Sequence, residues 1–146
     1  MTSSASEPGW AAIAILVGRL IFVAYFIMEF GLKVMNINGT AGYIASAGFP
    51  ISTVLAWLAA IFEVLLALGF LTGAYFAETC LLAGLYVTFL DLAFHGPSHW
   101  QGEFGQYEFT LFFIHFLLLA GFLFAAAHGP GRILASRKTI IGRYPA

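Results

Sequence analysis

Four apolar stretches in this chain of 146 residues are long enough to cross a membrane, and they limit its possible folds more than any other feature. A spanning helix needs about 20 mostly apolar residues. The candidates are residues 10–31, 51–73, 74–94 and 109–127. Pro50 suits a first helical turn, and Gly96-Pro97 and Gly129-Pro130-Gly131 stop the third and fourth stretches. The turn at Thr72-Gly73 is so short that the second and third stretches must form an antiparallel hairpin. Charged residues make up only 9% of the chain, against about 25% in soluble domains. The predicted class is therefore all-α, one membrane domain built as a transmembrane four-helix bundle.

Basic residues outside the spans set the expected orientation. The tail, residues 129–146, carries Arg132, Arg137, Lys138 and Arg143 and no acid, whereas segments 34–50 and 96–106 hold no lysine or arginine. The positive-inside rule puts the tail on the cytoplasmic side, and four spans put the N-terminus there too. The N-terminal MTSSASEPGW lacks a basic segment, so the first apolar run is expected to be a retained helix and not a signal peptide. TAGYIASAGFP, residues 40–50, is expected to hold a short interfacial helix at about 40–48 that lids the outer end. Trp10, Trp100 and Tyr107 suit interfacial anchors. A net charge of -1 gives no bulk field for nucleic acid. The single Cys80 forms no internal disulfide and lies in an apolar run as a packing residue.

Each span carries an ionisable residue well inside it: Arg19, Glu63, Asp91 and His115. Such a group costs roughly 2.5–3.5 kcal/mol in hydrocarbon, so it faces a bundle interior and meets a partner there. At about 1.5 Å per residue, Arg19 and Glu63 stand about 13 and 14 Å from the inner ends of their helices. Matched depth and opposite sign predict a buried Arg19–Glu63 pair that fixes helix register. Ala56, Ala59, Ala60 and Ala67 share the Glu63 side of helix two and permit close approach.

The other ionisable groups gather toward the outer end. Glu29 and Lys33 are spaced i,i+4, as are Asp91 and His95. Glu108 lies seven residues before His115, on the same face. Glu29, Lys33, Asp91, His95 and His115 are the candidate ligand- or proton-handling residues, with Glu108 nearby and Phe22, Phe26, Phe89, Phe112 and Phe116 as apolar walls. The plainer alternatives are a solvated Glu29–Lys33 pair and a His115 that bonds across helices. Glu78 reads as structural, near the inner surface. Imidazole and carboxylate suit several metals, but no HExxH, CxxC or paired ExxH motif appears and His115 has no histidine partner at its depth. No metal or haem is expected. A quinone asks for a donor near each carbonyl, an apolar cleft and a route for protons, and histidine is suited to proton transfer near neutrality. The chain has no GxSxG, phosphate loop or dinucleotide fingerprint, and no inverted repeat of the transporter kind.

GRLIFVAYFIMEFGLKVMN at 18–36 resembles the first helix of DoxX-like membrane proteins, which opens on Arg-Leu and closes on Gly-x-Lys. TAGYIASAGFP is similar to their glycine-rich first loop, and LAWLAAIFEVLLALGFLTG at 55–73 to their second helix with its glutamate. FHGPSHW at 94–100 and GPGR at 129–132 resemble the family's histidine-rich end of helix three and its closing turn. The chain departs from many relatives at Glu29-Phe30 and in FFIHFLLLAGF, which lacks their Lys-Asn pair. The resemblance implies a four-helix transmembrane bundle linked to redox work, including thiosulfate:quinone oxidoreductase or terminal quinol oxidase assemblies and complexes that manage thiol stress. The expectation is a redox-associated subunit of an oxidoreductase or respiratory-type complex in a bacterial inner membrane. It would hold a quinone-like ligand near the outer leaflet, with membrane lipid, other subunits or further copies of itself as partners. Any catalysis would belong to that complex. The alternatives are a non-catalytic accessory subunit and, with less support, a small-solute or proton transporter.

Overall fold

The architecture comes from a computed structural model, which describes residues 9–136 and 138–141. Those residues form five α-helices and one 3₁₀ turn, Pro97–His99, with no strand among them. The helices are α1 (Gly9–Met35), α2 (Ile37–Ser46), α3 (Ser52–Thr72), α4 (Phe76–Phe94) and α5 (Gly105–His128). All but α2 are long and apolar enough to cross a membrane.

The helices pack as two intimate pairs, α1 with α3 and α4 with α5, joined by a lighter α3–α4 contact. Ala56, Ala60, Glu63 and Ala67 form the buried stripe of α3, and the alanines let α1 approach closely. Most helix surface faces outward: α1 buries only Ala12, Arg19 and Phe26, and α5 only Gly105 and Phe122. An outward apolar face is what lipid requires. Between the pairs, in the half nearest the tail, Phe22, Phe26, Phe70 and Phe122 stack with ring centroids 4.7–6.0 Å apart. Phe76 meets Phe70 edge-on at 5.8 Å. These rings and Cys80 make a dry core.

Local chemistry sets the helix ends. The Asn36 side chain accepts the Gly39 N–H at 3.1 Å and starts α2. This helix covers 37–46 and begins three residues before the expected start, because Asn36 supplies a cap. It packs chiefly on α3. Pro50 precedes α3 without entering it, and Ile51 caps that helix in the left-handed region at φ 49°. Gly73 closes α3 at φ 65°, where glycine carries no steric penalty. α5 begins at Gly105, a turn before the expected 109. There the Trp100 carbonyl comes so close that a Cβ would lie 2.2 Å from its oxygen.

Arg19 does not pair with Glu63. Its Nε donates to the Phe70 carbonyl at 2.9 Å, and Nη2 to Leu71 at 2.6 Å and Leu134 at 3.0 Å. Nη1 donates to Ile133 at 2.9 Å and Pro130 at 3.2 Å. A guanidinium has five N–H donors, and Arg19 uses them on five carbonyls. The depth arithmetic compared Cα positions, but helical side chains lean toward their own N-terminus. In antiparallel helices the Arg19 and Glu63 heads therefore lean away from each other. Arg19 reaches the last turn of α3, whose carbonyls lack helical donors and carry negative dipole charge. The Gly73 N–H takes the Gly69 carbonyl and the Ser136 N–H the Thr72 carbonyl, so all four terminal carbonyls are met.

The tail folds back across this end. The Tyr75 N–H donates to the Lys138 carbonyl at 2.7 Å. Glu78 accepts the Thr139 hydroxyl at 2.8 Å, the Ile141 N–H at 2.9 Å and the Ile140 N–H. Arg132 and Lys138 belong to this docked strap, while Arg137 and Arg143 lie outside the described residues.

Arg19→Lys leaves at least two carbonyls without a donor, so it should destabilise the protein by about 2 kcal/mol or more. It should also open residues 131–141 to protease. Thermal melts in detergent with limited proteolysis check both, and an unchanged melt would contradict the assignment. Gly105→Ala should lower the melting temperature because the Trp100 backbone must move. Gly42→Ala, in open space on α2, should preserve the melting temperature or raise it, with a gain in stability of up to about 1 kcal/mol through helix propensity.

Candidate functional site

At the end of the bundle away from the tail, the two helix pairs diverge around a cavity of about 730 Å³. Phe26, Leu55, Leu58, Phe62, Phe89 and Leu90 supply its apolar walls. Thr40, Tyr43 and Ile44 of α2 close it from above, with Phe49 from the following loop. Tyr43 stacks on Phe94 at 5.0 Å, which ties the lid to α4. Its phenol is raised above the ordinary value by partial burial, then by Glu108 and Tyr107, so it stays a neutral hydroxyl. Of the expected aromatic walls, Phe26 and Phe89 line the cavity. Phe22 lies instead in the dry core, and Phe112 packs on Trp100 and Phe116.

One side of the cavity carries an ion cluster. Lys33 Nζ sits 2.9 Å from Glu29 Oε2 and 2.8 Å from Glu63 Oε1. The Tyr86 hydroxyl donates to the same Glu63 Oε1 at 2.8 Å. Lys33 and Glu63 meet for the reason that Arg19 and Glu63 do not. The Lys33 side chain leans back along α1 past Glu29, while Glu63 leans toward the start of α3. Glu63 is 1% exposed and Glu29 is partly exposed. The ammonium thus bridges a shielded carboxylate and a more open one.

The cavity also carries two histidines, each on a carboxylate. His115 Nδ1 lies 3.0 Å from Asp91 Oδ1, and His95 Nδ1 lies 2.5 Å from Glu108 Oε2. The rings stand 5.1 Å apart. Asp91 and His95 share a helix turn, yet each finds its partner on α5, so the two histidine–carboxylate hydrogen bonds cross the α4–α5 interface. Nδ1 faces the carboxylate in both rings, which leaves Nε2 on the other edge of each ring. Both histidines line the cavity, while Asp91 is buried behind His115. The Trp100 indole N–H donates to the His95 carbonyl at 2.8 Å and fixes the turn. Among the described residues, no three His, Cys, Asp or Glu side chains are grouped to hold a metal ion.

Four of the five expected site residues, Glu29, Lys33, His95 and His115, thus line one cavity, Asp91 stands behind His115, and Glu63 joins them from the supposed structural pair. Sequence reasoning missed Tyr86, although its signal was present. Glu63 and Tyr86 stand at nearly equal distances from the tight α3–α4 turn, and the depth arithmetic applied to Arg19 pairs them directly.

Residues 14–96 match the DoxX family. The chain belongs to the DoxX family. This DoxX protein is also 31% identical over 133 residues to the inner membrane protein YphA of Escherichia coli (strain K12), covering 86% of this chain and 90% of that protein. No solved structure matches it. The family match covers Glu29, Lys33, Glu63, Asp91 and His95 and ends before α5. His115 and Glu108 therefore complete the histidine side of this DoxX cavity from beyond the matched region. Four apolar helices and the family together make it an integral membrane protein.

A double-mutant cycle in detergent melts tests the pairing. Lys33→Met with Glu63→Gln should show a coupling of about 1–3 kcal/mol, whereas Arg19→Met with Glu63→Gln should be additive within about 0.5 kcal/mol. The reverse pattern would restore the Arg19–Glu63 pair.

Proposed function

We propose that this DoxX-family protein is a redox-associated subunit of an inner-membrane oxidoreductase complex and binds a quinone-like lipid in the α2-end cavity. The carrying observation is the composition of that cavity. It has apolar and aromatic walls, an ammonium–carboxylate cluster and two carboxylate-held imidazoles. A ring with two polar edges and an apolar body suits a cavity that combines two polar groups with apolar walls. Lys33 and Tyr86 belong to one polar group, and His115 and His95 to the other. A carboxylate behind each imidazole fixes the ring's orientation and leaves its other nitrogen available, so each pair is suited to pass a proton.

The membrane assignment follows the name of the similar Escherichia coli protein. The basic tail lies on the cytoplasmic side in this reading, which puts the cavity in the outer leaflet. The chain supplies binding and proton handling, and electrons come from a partner in the complex. A transporter has less support. A polar path from the cavity to Glu78 would cross the buried rings of Phe26, Phe70 and Phe122, and Arg19 beyond them already uses its donors on carbonyls.

The test is purification from native membranes in mild detergent, followed by lipid extraction. Quinone should accompany the protein well above its proportion in bulk membrane lipid. Ala59→Trp, which fills the cavity without changing a polar group, should remove it. Quinone content equal to bulk lipid and insensitive to Ala59→Trp would sink the proposal.

A further inference from the structure

Glu63 is 1% exposed, lines the cavity, and uses only one of its two carboxylate oxygens. Oε1 receives both Lys33 and Tyr86. Oε2 is buried without a hydrogen-bond partner. Among the described residues the other such atom is Glu78 Oε2, at the tail end. A buried acceptor without a donor carries its full desolvation cost, and an occupant that supplies the donor recovers it. The cavity is of a size that takes a small molecule, within roughly 300–1,000 Å³.

The charges around Oε2 define the donor. An anionic head would meet Glu29 and Glu63. A cationic head would have to compete with Lys33, which already holds both carboxylates. A neutral O–H avoids the repulsion and the competition and supplies the missing hydrogen bond. The remaining walls ask for an apolar, ring-sized body. We infer that the cavity selects a neutral hydroxyl-bearing amphiphile whose O–H donates to Glu63 Oε2. For a quinone-like ligand this means that the reduced dihydroxy form is held more tightly than the oxidised dicarbonyl form. The statement about quinones rests on the proposed function; the donor rule rests on Glu63 alone.

Binding to the full chain in lipid nanodiscs separates the two. The first pair of probes is 4-nonylphenol and 4-nonylanisole, which differ by the donor hydrogen and have no quinone chemistry. The second pair is decylubiquinol and decylubiquinone, measured without oxygen. The phenol should bind at least about tenfold more tightly than its methyl ether, and the quinol at least about tenfold more tightly than the quinone. Glu63→Gln places an N–H donor within reach of the ligand and should abolish or reverse both preferences. If that variant does not fold, the two pairs on the unaltered protein decide. Equal binding of phenol and ether, or tighter binding of the ether, overturns the donor rule even if both quinone forms bind. A phenol preference with no binding of either quinone form upholds the donor rule and overturns the quinone ligand. No binding of any probe overturns both.

Discussion

A guanidinium in hydrocarbon must be surrounded by acceptors, and Arg19 finds them where helices end. Its five donors take two carbonyls from the last turn of α3 and three from the segment after α5. Helix ends are where backbone acceptors go unmet, and in lipid no water is present to meet them. One side chain therefore meets two of the four open carbonyls of the α3 terminus, anchors the returning tail and fixes α1 against both. A carboxylate partner would have neutralised the charge but left those carbonyls open. The register that Arg19 imposes on α1 and α3 also decides where Lys33 stands relative to Glu63.

That register divides the interior. Toward the tail, phenylalanines from α1, α3 and α5 fill the space between the helix pairs. Toward α2, the same pairs diverge, and the space is lined by polar groups already engaged with one another. Lys33 holds two carboxylates, and the two histidines lean on acids from the opposite helix. Among the described residues, Glu63 Oε2 is the one buried side-chain atom on this wall without a hydrogen-bond partner. In a medium without competing water, one unmet acceptor is enough to give a ligand a preferred chemistry.

Much of the fold was legible from local pattern. Hydropathy placed four long helices, because a membrane requires about 20 apolar residues of any spanning helix. Gly73, Gly96-Pro97 and Gly129-Pro130 marked their ends. The ionisable residues at 29, 33, 91, 95 and 115 announced a polar region, because isolated charges are rarely kept in lipid. The Arg19–Glu63 pair went wrong for a geometric reason. Cα depth was counted, but each long side chain carries its head further along its own helix toward the N-terminus. Tyr86 was missed although its depth matched Glu63, because a hydroxyl carries no charge to draw attention.

The sequence by itself determined that this chain crosses a membrane as helices and that its polar chemistry lies toward one end. Both follow from the cost of exposing polar groups to lipid, which a one-dimensional pattern records. The tertiary structure alone decided which acid meets which base. It gave Lys33 to Glu63, His115 to Asp91 and His95 to Glu108, and it gave Arg19 to backbone carbonyls that no residue pattern marks. Those choices depend on side-chain direction and helix rotation over a few ångströms. Hydrogen bonds resolve distances of that size, and residue spacing does not.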